Sequence, residues 1–428
     1  MAGNLHKIQQ QHVTVQFDGI ENTTGIQNEI AELFNEELLP KLELLFDDTG
    51  NENYLVSIDS LEIDCGILSA KNWKRELIDE ALRKIKAEIS TSPKKEIKKA
   101  AADDLDETLL YFAETGLLLW NSDIKHVKEL EKAELSELLI KKLKALLNED
   151  MQAAMRLASW FSAEFFKSLL NLLARDRIDE LSRIYFLLTK YKIPASDTVD
   201  TKAALLRAFS DGKGHALQLF FSYLYTEVST ANKRLINEIV DDEKLPPVIP
   251  DLTARRKKDK EPDFVYVNNA GMVILHPFLP HLFKDLGLLT DEGWKNKEAQ
   301  HKAVYILQFL VTGSDREPEF ELPLNKLICG LDITDALNPP KKLSVPVKKE
   351  CEQLLDAVIA NWSMLRNTSH AGLRETFLQR SGKLTQLNNG WQLKVEQKGV
   401  DVLLNSLPWA IGVVKHPWME KILFVEWV

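Results

Sequence analysis

Apolar residues along this chain change their spacing repeatedly, and each change predicts a different kind of structure. Near the start, Val13, Val15 and Phe17 alternate with Thr14 and Gln16, which is the period of a half-buried strand. A second strand is expected over residues 54–65. Its apolar set is Val56, Ile58, Leu61 and Ile63, and the shift of register near Ser60 calls for a bulge at Asp59 and Ser60. Between them, Ile30, Leu33, Phe34, Leu38 and Leu42 recur at helical spacing, with Pro40 as a kink or break. Trp73, Leu77, Ile78, Leu82, Ile85 and Ile89 then mark an amphipathic helix, so residues 1–90 read as a small α+β module.

From residue 104 to 241 almost every position follows the helical period. Helices are expected over 105–115, 124–147, 151–175, 177–192, 200–210 and 215–240, punctuated by Gly116, Pro194, Gly212 and Gly214. Trp160, Phe161, Phe165, Phe166, Leu169, Leu170, Leu172 and Leu173 are too apolar together for an exposed single helix, so this block is a packed bundle or array. No clean fixed-period repeat emerges. Past residue 264 the elements shorten. A strand is expected over 264–267, followed by helices over 279–286, 299–311, 322–329, 345–365 and 373–380, with Gly287, Gly313, Gly330 and Gly382 as stops. Strands over 391–395, 401–404, 411–414 and 423–427, with turns at Asn388-Asn389-Gly390 and Leu407-Pro408-Trp409, predict a small antiparallel sheet. The fold class is therefore mainly α with α+β ends. Domains span 1–90, 104–241 and 264–428, with polar linkers over 91–103 and 242–263. The second linker carries the basic cluster Arg255-Arg256-Lys257-Lys258, read as solvated.

Composition narrows the function classes. The chain has 428 residues, 54 Lys plus Arg and 64 Asp plus Glu, for a formal charge of −10. That balance argues against a dedicated nucleic-acid binder, which needs a basic face. Neither a transmembrane run nor the apolar core of an export signal is present, so a soluble protein made in the cytoplasm is expected, without membrane insertion. Cys65, Cys329 and Cys351 lie far apart and read as free thiols of a reducing compartment.

Candidate chemistry is sparse. There is no GxGxxG, Walker A, GxSxG or HExxH pattern, so no catalytic, cofactor-binding or metal-ligating residues are assigned. His276 and His281, five apart with two prolines between, do not form a recurrent ligand motif and read as structural or surface residues. Glu317, Glu319 and Glu321 alternate before Leu322 and read as a solvated loop. A hydrolase using Glu319, Glu321 and a histidine is the enzymatic alternative, which the lack of any further partner disfavours. Trp391, Trp409, Trp418 and Trp427, with Arg374 and Arg380, are the candidate interface residues, because indoles and guanidinium groups favour the centres of contact surfaces. The competing reading makes the tryptophans a core and the arginines internal pairs.

Longer segments carry a resemblance. Residues 269–283 (Asn-Ala-Gly-Met-Val-Ile-Leu-His-Pro-Phe-Leu-Pro-His-Leu-Phe), 321–331, 373–384 and 407–419 resemble, in order, the contractile injection system tape measure proteins. So do Gly390-Trp391 and Glu426-Trp427, the helical motif over 109–120, His6-Lys7-Ile8 and residues 58–64. The resemblance implies a non-enzymatic assembly protein of a phage-tail-like particle. Its task would be inner-tube assembly or length control, with tube, baseplate or spike proteins as partners and room for self-association. A cytoplasmic chaperone or adaptor for a particle component or cargo is the alternative. The apolar faces of the middle block imply that it folds onto itself or onto companions rather than standing as a stretched rod.

Overall fold

The computed structural model describes residues 29–49, 54–56, 61–68, 72–91, 94–96, 105–248 and 262–427, apart from short gaps at 31, 62, 120–121, 123, 194–197, 213–214, 228–229, 263, 316 and 339–341. The chain divides into two compact units, residues 1–103 and 104–428. The expected strand at 13–17, the bulge at 59–60 and the basic cluster at 255–258 lie outside the described residues.

In the first unit, a π-helical turn over Phe34–Leu38 leads into α1 (Leu39–Thr49). Pro40 does not break this helix. The Leu39 N–H donates to Phe34 O in a widened turn just ahead of the proline, which has no N–H of its own. Leu33, Leu38 and Leu42 pack on Ile78 and Ala81 of α2 (Trp73–Thr91). Two short strands, β1 (Tyr54–Val56) and β2 (Lys94–Glu96), pair antiparallel.

The second unit opens with helices α3 (Leu105–Thr115), α4 (Val127–Leu130), α5 (Glu137–Glu149), α6 (Met151–Trp160), α7 (Ala163–Leu173), α8 (Ile178–Lys190), α9 (Val199–Ser210), α10 (Ala216–Glu227) and α11 (Thr230–Asp242). Two helices expected to be continuous are split by caps. Ser136 accepts from Leu139 N–H and starts α5. Ser162 accepts from Phe165 N–H and starts α7, while its own N–H and hydroxyl donate to Glu131 at 2.7 and 2.8 Å. That clamp is a tertiary contact, invisible in the apolar run around Phe161. Leu143, Leu157, Leu170, Leu206, Phe209 and Phe220 are among the residues of a continuous helical core.

The remainder of the unit holds β3 (Phe264–Val267), a buried 3₁₀ stretch over Ala270–Phe278, α12 (Leu279–Asp285), β4 (Leu289–Thr290), β5 (Gly293–Trp294), α13 (Lys297–Thr312), α14 (Pro323–Ile328), α15 (Val345–Asn361), α16 (His370–Leu373), β6 (Gly382–Leu387), β7 (Gly390–Val395), β8 (Val413–Val414) and β9 (Ile422–Glu426). A second core forms here around α13, whose residues from Ala303 to Val311 are nearly all enclosed. The sheet order is β3-β6-β7-β9-β8.

Four expectations need correction. Of the strand expected over 54–65, residues 54–56 are strand, whereas 61 and 63–65 are not. The sheet is mixed, not antiparallel, because β9 runs parallel to β7, with Trp391 opposite Leu423. The chain leaves β7, crosses over through residues 396–421 and re-enters in the same direction, as a parallel neighbour requires. Residues 401–404 are not a strand but part of a 3₁₀ helix over Gly399–Ser406, where Asp401 turns back to accept from Lys398 N–H. Gly382, read as the stop after a helix, instead opens β6, which pairs with both β3 and β7. Among the described residues no helix is long and apolar enough to cross a membrane.

A buried charge joint as the candidate functional site

Arg156 lies on α6, in a helix whose neighbours Ala153, Ala154, Met155 and Leu157 are all buried. The N-cap Asp150, accepting from Gln152 N–H at 2.8 Å, sets where that helix begins. Glu319 opens a 3₁₀ turn just ahead of α14, and Lys326 sits within α14 among Leu324, Leu327 and Ile328. Tertiary folding brings the three charges together, and the Arg156, Glu319 and Lys326 side chains are all 0% exposed.

Every lone pair of the carboxylate is used. Glu319 Oε1 accepts from Arg156 Nε at 3.1 Å and from Lys326 Nζ at 2.7 Å. Glu319 Oε2 accepts from Trp160 Nε1 at 2.9 Å and from Leu337 N–H at 3.3 Å. The rest of the Arg156 fork donates to the carbonyls of Ala113 and Glu114, at the end of α3, and to Thr334 O. A guanidinium at those carbonyls also suits the negative end of the helix dipole. Lys326 donates further to Ile333 O at 3.0 Å. Gly116 turns the chain at φ +74°, where a Cβ would meet Glu319 Oε1 at 2.5 Å and Arg156 Nε at 2.8 Å.

The electrostatics follow from that geometry. Burial alone would raise the Glu319 carboxyl, but Lys326 and Arg156 outweigh it and hold it below its usual value. Burial pulls the Lys326 ammonium down to about 8 against the opposing pull of Glu319. His301, buried and beside Lys297, falls to about 4. The Tyr305 hydroxyl is driven well up by burial and by Glu319.

Such an arrangement positions chain segments; it does not process a substrate. A carboxylate that already accepts four donors, with no exposed surface, has no acceptor left for a substrate proton. The expectation of a solvated Glu319 is thus overturned, because the buried cations of α6 and α14 hold it inside. Glu321 is half-buried, and its carboxyl is raised by that burial. Among the described residues no group of three His, Cys, Asp or Glu side chains is placed to hold a metal. His276 faces Ala410 O at 2.9 Å, and His281 sits exposed beside Asp285. Cys329 and Cys351 are buried thiols and Cys65 is half-buried.

The six candidate interface residues all engage the chain itself. Trp391 and Trp427 are 1% and 3% exposed. Arg380 is fully enclosed and donates to Asp401 Oδ1 at 2.5 Å, while Trp427 Nε1 donates to Asp401 Oδ2 at 3.1 Å. Half-buried Arg374 donates to Leu310 O and Phe309 O at the end of α13. Trp409 and Trp418 are partly buried. Their indole N–H groups reach Ile274 O at 3.0 Å and Ile328 O at 2.9 Å.

Reading the sequence missed Arg156, Trp160, Lys326 and Gly116. A usable signal existed: Arg156 and Lys326 are each a lone cation inside an apolar run, and such a cation needs a buried partner.

The comparisons with known proteins agree with the ordered motifs. A family model described as contractile injection system tape measure protein matches residues 5–427. The chain belongs to that family, whose role is structural. No curated protein and no solved structure matches the chain.

Proposed function

We propose that this member of the contractile injection system tape measure family is a non-enzymatic assembly component of the particle, acting in inner-tube assembly or length control through contacts with tube, baseplate or spike proteins. The observation that carries the reading is the match over nearly the whole chain. The joint adds support, because its charges are spent on holding segments together. On this reading the protein is made in the cytoplasm and built into the particle. Of the four candidate tryptophans, Trp409 and Trp418 are only partly buried and carry the proposed contact.

A second reading is favoured by one observation. Among the described residues the helices between 105 and 210 are short, none exceeding 13 residues. A helix of that length spans only ~20 Å, and the helices fold back on a shared core. A compact adaptor or chaperone for a particle component suits such a body better than a stretched ruler. Deleting the gene and imaging the particles tests the first reading. Tubes of abnormal length or missing particles are expected, and normal numbers of full-length particles would refute it. Mass spectrometry of purified particles separates the two readings, since a component stays with them and a chaperone does not.

A further inference from the structure

Two cores make up the second unit, and each is closed almost entirely by its own residues. The helical core takes its fully buried members from 109–240 and borrows Ala336. The other takes its members from 267–427 and borrows Leu117. Apolar contact across the boundary comes from these two residues and from half-buried Tyr111 and Phe320. Polar contact converges on one helix. Arg156 and Trp160 of α6 bind Glu319, Arg156 also binds Thr334 O, and Gln152 Oε1 accepts from Ala336 N–H at 2.7 Å.

A boundary built this way opens differently from an apolar one. Arg156, Glu319 and Lys326 lose their hydration when the boundary closes and regain it when water enters. Apolar residues gain nothing comparable from opening. Apart from Ala336 and Leu117, each core draws its buried residues from its own stretch of chain.

We infer that the Glu319 cluster is a latch, and that the helical body (105–248) and the C-terminal body (264–427) part from each other as intact bodies before either one unfolds. Glu319 is the shared acceptor of this latch: without it, Arg156 and Lys326 face each other as two uncompensated cations. Lys326 keeps most of its charge at neutral pH, since burial brings it down only to about 8. The inference concerns this chain alone and does not depend on its place in a particle.

Hydrogen exchange on the full-length chain tests it. The amides of Ala336 and Leu337 donate across or into the joint, while those of Leu206 and Ile306 lie in the two cores. In the wild type the joint amides exchange at least ~10-fold faster than the core amides, as sub-global opening requires. Glu319→Gln speeds the joint amides by a further ~100-fold, leaves the core amides unchanged and raises the radius of gyration seen by solution scattering. Equal exchange at joint and cores in the wild type would overturn the inference. So would a Glu319→Gln variant whose joint and cores accelerate together. A second variant covers a misfolded Glu319→Gln. Arg156→Met with Glu319→Leu and Lys326→Met fills the joint with apolar side chains and slows the Ala336 amide, whose Gln152 acceptor is kept, toward the core rate. An unchanged joint rate in that triple variant would show that the charges are not the latch.

Discussion

Arg156 and Arg380 are chemically alike and structurally opposite. Both are 0% exposed, and both pair with a carboxylate. Arg380 finds its partners nearby. It donates to Thr376 O four residues back, to Glu396 O, and to Asp401 only 21 positions on. Its guanidinium also lies 5.8 Å from the Trp427 ring and 5.9 Å from that of Phe377, inside a single core. Arg156 instead reaches Glu319, 163 positions away, and shares it with a second buried cation. The nearby pair closes a loop that surrounding apolar packing already favours. The distant pair joins the two cores of the second unit, which share few apolar residues, so removing one partner there strands charges that little else holds in place.

The comparison can be broken by experiment. Glu319→Ala gives the largest effect, a loss of ~3–5 kcal/mol, because two cations stay buried without their carboxylate. Asp401→Asn costs less, ~1.5–3 kcal/mol, since Arg380 keeps two carbonyl partners and the amide can still accept. Urea unfolding of both variants measures the difference, and the reverse order would show that sequence distance is a poor guide to what a buried pair holds. Gly116→Ala follows at ~1–3 kcal/mol. It forces a side chain into positive φ and pushes a methyl group between Glu319 and Arg156.

Titration sharpens the contrast further. His301 and His416 are both brought down to about 4 from an ordinary 6.5 by burial. The unfolded chain therefore binds protons that the folded chain refuses between those values, so stability falls as pH drops from about 6.5 to 4. Lys326 acts at the other end. Its folded value of about 8 lies below the ordinary 10.5, so the cost of burying its charge is relieved as pH rises above about 8. Denaturation midpoints of wild type and Lys326→Met, compared from pH 7 to 10, should show a relative gain for the wild type with rising pH. A constant difference would mean that Lys326 does not titrate in that range. The smallest effect is expected from Trp409→Phe, which loses one indole hydrogen bond to Ile274 O, at ~1 kcal/mol by thermal unfolding.

Much of the helical part was legible because a helix writes its period locally. The run from Leu105 to Thr115 and the amphipathic stretch from Trp73 both became helices at the expected places. The break at Phe161 was not legible, since the glutamate that clamps Ser162 comes from residue 131. Residues 401–404 carry strand-like side chains, yet Asp401 is held by Lys398, Arg380 and Trp427, and this tertiary grip outweighs β-propensity. At the candidate site, the unusual cations could be seen in the sequence while their common acceptor could not.

By itself the sequence determined the helical periods, most of the stops that end them, the acidic balance and the ordered motifs that mark the family. These are properties of neighbouring residues or of the bare count. Tertiary structure alone decided that β9 runs parallel to β7, that Glu319 sits inside rather than in water, and that Arg156 and Lys326 share it. Each of those outcomes depends on which distant surfaces meet once the chain has closed its long loops, and local spacing carries no record of that meeting.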